Sequence, residues 1–264
     1  MKNSKNLNSD WRKVASVIYK KPIDSKVFGA VDLDVTELEN FVSDKRKQGL
    51  KITLTHIMAL TVARALKEIP ELNAYVRRGK IVQRPSVDAM ISVLQADGQM
   101  GSIKIPNADT LNLSSLASFM TDEIQKSRRG NENRAMQSKN ILSSIPWPFR
   151  GWFFRLYKTI TINWGLSIPF LGLSTDSFGS FVITNIGSIG LETGYPALLP
   201  SSNVAFVLVM GGISKKPVVV NDEIVIRRIM SLSIVMDHRL VDASHGGQLF
   251  RFIKYMVRHP KNLE

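Results

Sequence analysis

The chain has 264 residues, of which 44% are hydrophobic and 22% charged, and it contains no cysteine. That balance excludes disorder, and the missing thiols exclude disulfides, thiolate metal sites and a cysteine nucleophile. The formal net charge of +13 admits a nucleic-acid surface, an ordinary basic surface or a site for a polyanionic ligand; Lys and Arg are spread over most segments, so nucleic acid is the least favoured.

The polar N-terminal residues carry no signal-peptide pattern, which together with the lack of cysteine predicts a cytoplasmic protein. Residues 1–10 read as a flexible arm and 11–264 as a single domain. Trp11–Tyr19 suits a short amphipathic helix stopped by Pro22. Val27–Asp34 alternates as a strand does. Asp34-Val35-Thr36-Glu37 reads as a capping box opening a helix through about Gln48, closed by Gly49. Thr55–Ile69 is a helix so widely apolar that burial on more than one side is expected, and Pro70 ends it.

Ala74–Arg77, a turn at Arg78-Gly79, and Lys80–Gln83 form a hairpin signal. Val87–Leu94 and Gly101–Ile105 are strands either side of a turn at Ala96-Asp97-Gly98, and Leu113 to about Lys126 is a helix. Strands return at Gly179–Thr184, Asn203–Gly211, Pro217–Val220, Ile224–Arg227 and Ile229–Met236, before a closing helix from about Val241 to Arg258. Helices and strands mixed in this way predict an α/β fold with a mixed sheet covered by helices.

Residues 128–176 fit a compact domain poorly. The segment begins polar, then interleaves Trp, Phe, Arg and Lys over 145–158. The run from Thr159 to Thr175 is too short and too polar to span a bilayer. The interleaving is that of an interfacial helix, and equally that of a subunit contact or a pocket lid.

Met236-Asp237-His238-Arg239-Leu240-Val241-Asp242 lies between the last strand and the last helix. A histidine leaving a strand end is held rigidly and can still be reached by a substrate. Asp242 stands where the helix begins, suited to accept backbone N–H groups and to anchor a distant cation. The pair alone is unspecific. His238, Asp242 and His245 have metal-ligand chemistry, but no further cluster accompanies them and no metal is expected.

Several collinear stretches carry a more specific signal: Val31–Asp34, Ala65–Ala74, Ala96-Asp97-Gly98, Phe181–Gly190, Pro200–Ala205 and Ser231–Asp242. With them, residues 11–262 resemble the catalytic domain of dihydrolipoamide acyltransferases, the core component of 2-oxo acid dehydrogenase complexes, whose fold is that of chloramphenicol acetyltransferase. The resemblance implies a coenzyme A-dependent acyltransferase that passes an acyl group to a dihydrolipoyl-type thiol or another small acceptor. In that family a histidine matching His238 takes the proton from a thiol, work suited to a side chain that ordinarily titrates near neutrality. A Ser or Thr hydroxyl, here Thr184, steadies the oxyanion. An aspartate matching Asp242 pairs with an arginine near the N-terminus, for which Arg12 is the candidate. Against these roles stand plainer ones: a solvated turn histidine, an ordinary strand threonine, an aspartate that only caps.

The chain departs from the family in places. Ala243 stands where the family has glycine, so a loop needing a positive backbone angle is expected to differ. The insertion at about 128–176 is longer than the family's link. No lipoyl domain, peripheral-subunit-binding domain or apolar C-terminal tail is recognised, so a lipoyl group is expected on another protein, and the assembly is expected to be a homotrimer without a larger core. The alternative reading is a catalytically weak trimeric scaffold, or an interaction protein at a membrane surface that makes contact through 145–158.

Overall fold

The computed structural model describes residues 25–94, 100–128, 146, 149–167, 175–199 and 201–264. The expected N-terminal arm, the helix at Trp11–Tyr19, Arg12, the Ala96-Asp97-Gly98 turn and part of the 128–176 segment lie outside these residues.

Strands β1 (Lys26–Asp34), β4 (Ala89–Leu94), β5 (Met100–Ile105), β6 (Phe181–Asn185), β7 (Phe206–Val220) and β8 (Glu223–Asp237) form one sheet in the order β1-β8-β7-β6-β4-β5. It is mixed: β6 runs parallel to both β4 and β7, and the remaining pairs are antiparallel. A separate hairpin, β2 (Ala74–Arg77) with β3 (Lys80–Gln83), turns at Arg78 and Gly79, both at positive φ as a tight two-residue turn requires.

Helices α1 (Thr36–Lys47), α2 (Leu54–Glu68), α3 (Leu113–Arg128) and α5 (Ala243–Arg258) contribute to the main core with one face of the sheet. Strand alternation assigns the layers. Phe206, Leu208, Leu232 and Ile234 point into the helical core, while Val207, Val209 and Val235 form a smaller cluster on the opposite face with Leu198 and Val204. Ile57 to Ala63 of α2 are buried without a break, so this helix is enclosed on several sides as its sequence predicts.

Two expectations need correction. The capping residue of α1 is Val35 rather than Asp34; the Asp34 carboxylate instead accepts the Thr36 N–H at 3.0 Å and the Thr36 hydroxyl at 2.6 Å, so the helix begins one residue later. The strands expected at Asn203–Gly211 and Pro217–Val220 are one continuous β7, and those at Ile224–Arg227 and Ile229–Met236 are one β8. The apparent break is an irregularity between Met210 and Ile213. There Gly211-Gly212 and the polar residues after them interrupt the apolar alternation without ending the ladder. Gly211 is required by space: an added Cβ would fall 1.8 Å from the Glu192 carbonyl oxygen.

Candidate active site

His238 follows the last residue of β8 and opens a turn that leads into α5. Its backbone is held on both sides. The His238 N–H donates to the Ser25 carbonyl at 2.6 Å, and the neighbouring Asp237 N–H donates to the Ala205 carbonyl at 2.8 Å. Leu240 and Val241 both return their N–H groups to the Asp237 carbonyl, at 2.9 and 3.2 Å, which closes the turn.

The side chains on either side of the histidine complete this clamp. Arg239 Nε donates to Asp237 Oδ1 at 2.9 Å and Arg239 Nη2 to Oδ2 at 2.5 Å, while the Arg239 backbone N–H reaches the same carboxylate at 3.1 Å. Both side chains are buried. A planar guanidinium matched to a carboxylate by two parallel bonds has little rotational freedom, so the residue between them is presented from a fixed frame.

The imidazole is oriented by a further contact. His238 Nδ1 lies 2.9 Å from the Val241 carbonyl oxygen. A carbonyl oxygen only accepts, so Nδ1 carries the hydrogen and Nε2 carries the lone pair. Asp242 Oδ1 lies 3.4 Å from the same Nδ1. The His238 side chain keeps 30% of its surface accessible, enough for a reactant to approach.

Asp242 also caps α5. Its side chain faces the backbone N–H of His245, and His245 Nδ1 accepts the Asp242 N–H at 3.0 Å. His245 is thus tied to the helix start by its own ring. Ala243 is the first residue of α5 and is not among the residues at positive φ. In this chain the position takes helical geometry, which alanine favours.

Thr184 is on β6, between β4 and β7. Its neighbour Ile183 enters the helical core, so alternation turns Thr184 to the other face of the sheet, where Val182 joins the smaller cluster. Beyond it the chain makes a tight turn braced by Asn185, whose side-chain oxygen accepts the Ser188 N–H at 3.2 Å and whose carbonyl accepts the Ser188 hydroxyl at 2.7 Å.

One protomer does not bring Thr184 and His238 together. Thr184 pairs with Val209, which pairs with Ser233. His238 lies further along β8 at its end, roughly 16 Å along the strand direction and roughly 10 Å across two strand spacings. Arg12 lies outside the described residues. The Asp237–Arg239 clamp is a feature that reading the sequence missed: alternating charges in a turn look the same whether they point to solvent or grip each other.

The sequence profile described as 2-oxoacid dehydrogenases acyltransferase (catalytic domain) matches residues 2–140 and 174–264. The chain belongs to this family. Among its relatives, the dihydrolipoyllysine-residue acetyltransferase component of the pyruvate dehydrogenase complex of Rickettsia bellii is 26% identical over 94% of this chain and 51% of that protein. The succinyltransferase component of the 2-oxoglutarate dehydrogenase complex of Saccharomyces cerevisiae is 23% identical over 89% of this chain and 42% of that protein. This acyltransferase-family chain thus spans about half or less of the length of these curated relatives. A probable dihydrolipoamide acetyltransferase of Listeria monocytogenes shares the fold with a TM-score of 0.66 at 22% identity, over 95% of this chain and 89% of that one. A chloramphenicol acetyltransferase also shares it, with a TM-score of 0.53 at 12% identity over 94% of both chains. The α/β fold expected from the sequence is the one observed.

Proposed function

We propose that this chain transfers an acyl group between coenzyme A and a thiol of the dihydrolipoyl type, the latter borne by a separate lipoyl domain or protein. The observation that carries this reading is the His238 imidazole, fixed by the Val241 carbonyl in the tautomer that leaves Nε2 basic. Family membership supplies the reaction class, and several relatives are named as dihydrolipoyllysine-residue acetyl- or succinyltransferases. Structural work on the Azotobacter vinelandii dihydrolipoamide acetyltransferase addresses a serine, a histidine and an asparagine in its catalytic mechanism, the last two spaced as His238 and Asp242 are.

His238 Nε2 takes the proton of the attacking thiol, and the thiolate sulfur adds to the thioester carbonyl carbon. The carbonyl oxygen becomes an oxyanion, to which the Thr184 hydroxyl of a neighbouring protomer donates a hydrogen bond. The tetrahedral intermediate collapses, the original carbon–sulfur bond breaks, and the departing thiolate recovers the proton from Nε2. Val241 and Asp242 hold the imidazolium while it exists. Asp242 has a second task as the cap of α5, and a pairing with Arg12 would tie the turn to the N-terminal segment.

The separation of Thr184 and His238 within one chain supports a homotrimer with its sites at subunit boundaries. Apolar surface is available for such contacts. Ile189, Leu191, Tyr195 and Leu199 are exposed on the segment that crosses the sheet face opposite the helices, where Ser233 Oγ bonds the Gly194 carbonyl. Val219, Ile224 and Ile226 are exposed on the distal arm of β7 and β8.

The direct test is acetyl transfer from acetyl-coenzyme A to dihydrolipoamide by His238→Ala. The rate falls by at least about a hundredfold, the ordinary loss of a general base. Retained transfer in the variant ends the assignment of His238 as the base, whereas no transfer by the unaltered chain favours the scaffold reading.

A further inference from the structure

The family profile leaves residues 141–173 unmatched, and inside this stretch lies α4 (Phe149–Tyr157). Phe149, Trp152, Phe153 and Leu156 follow one another at helical spacings of three, one and three residues, so they share one face. All four are exposed, at 58, 56, 45 and 42%. Trp152 and Phe153 stack edge to face with centroids 5.0 Å apart. Trp164 and Leu166, just beyond, are exposed as well. Isolated exposed apolar residues are ordinary, but a full helix face of them is a binding surface.

The helix is mounted on the body by the π-helical turn that follows it. Thr161 and Ile162 of Lys158–Asn163 are buried. The Arg78 N–H donates to the Asn163 carbonyl at 2.9 Å, and Arg78 Nε donates to the Trp164 carbonyl at 3.2 Å. The β2–β3 hairpin thus anchors α4 while its apolar face stays outward.

We infer that this face docks the protein on an anionic lipid bilayer surface. Charge selects that occupant. Between Pro146 and Ser167 the chain carries Arg150, Arg155 and Lys158 and no acidic residue, in a chain of net charge +13. The same face of a second copy would oppose positive charge with positive charge, whereas anionic headgroups complement it. Trp and Phe beside Arg and Lys is the composition of a helix lying in the headgroup plane. Among the described residues no helix is long and apolar enough to cross a membrane, so α4 lies on the bilayer. The inference is independent of the acyl-transfer reading, because its measurement is binding.

The experiment is flotation of the full-length chain with vesicles of phosphatidylcholine alone or with about one-third phosphatidylglycerol at physiological salt. The protein floats with the anionic vesicles and stays behind with the neutral ones. The double variant Trp152→Ser/Phe153→Ser, and separately Arg155→Glu, partition at least about tenfold less while keeping their subunit number. Wild-type protein that fails to float with anionic vesicles overturns the inference. So does a serine variant that floats equally well, or one whose assembly falls apart, which would make the face a contact between copies.

Discussion

As the proposed base, His238 works only while its ring stays in one orientation, and the turn uses several groups to keep it there. The ring is aimed by the Val241 carbonyl, its backbone is held by Ser25, and the Asp237–Arg239 fork grips the turn from inside. On the proposed reading, Arg239 is a positioning residue. Arg239→Lys keeps the charge but loses the two-pronged geometry. We expect kcat to fall roughly tenfold with KM for acetyl-coenzyme A and for dihydrolipoamide nearly unchanged, since displacements of the order of 1 Å at a reacting group carry losses of this size or larger. Steady-state kinetics at a temperature where the variant is fully folded checks this; an unchanged kcat would reduce the fork to a stability device. At this scale the sequence was partly legible. His238 and Asp242 stand out because a strand ends and a helix begins around them. The fork does not stand out, because burial rather than spacing makes Asp237 and Arg239 partners.

The helices show the same economy at their starts. α2 opens with Thr53, whose N–H donates to His56 Nδ1 at 3.2 Å, and His56 is buried. Burial, with the Arg46 guanidinium as a second cause, pushes the His56 imidazole down from 6.5 to about 4. The unfolded chain then binds a proton there more readily than the folded one. The stabilisation is fully present above about pH 6.5 and is lost as the pH falls towards 4, by at most on the order of 3 kcal/mol. His56→Gln keeps an acceptor for the cap and removes the titration. Urea unfolding of the two proteins at pH 7 and pH 4.5 is expected to show a smaller acid-induced loss in the variant; equal losses would place the acid sensitivity elsewhere. Most elements were readable from their periodicity, including this enclosed helix and the β2–β3 turn. The continuity of β7 was not, because a bulge built on Gly211-Gly212 resembles a loop in sequence. The Asp34 capping box was misread because an aspartate two residues before a helix bonds the backbone much as a true cap does.

Across the whole molecule, the sheet register decides how the site is assembled. The order β1-β8-β7-β6-β4-β5 sets β6 two strands from β8, with Thr184 and His238 at different heights. No rotamer change closes a gap of roughly 19 Å, the diagonal of those two offsets. The proposed chemistry thus requires a neighbour, and a three-fold ring offers each histidine the threonine of the next chain. The sequence could supply the residue types but not this separation, which exists only once the strands are ordered. The decisive measurement mixes two inactive proteins, His238→Ala and Thr184→Ala, under conditions where subunits exchange. Random trimers then regain intact sites where a chain with its histidine meets a chain with its threonine, and acetyl transfer should recover to about a quarter of the wild-type rate. Mixing that restores nothing, although mass measurement shows mixed trimers, would contradict a site shared between protomers.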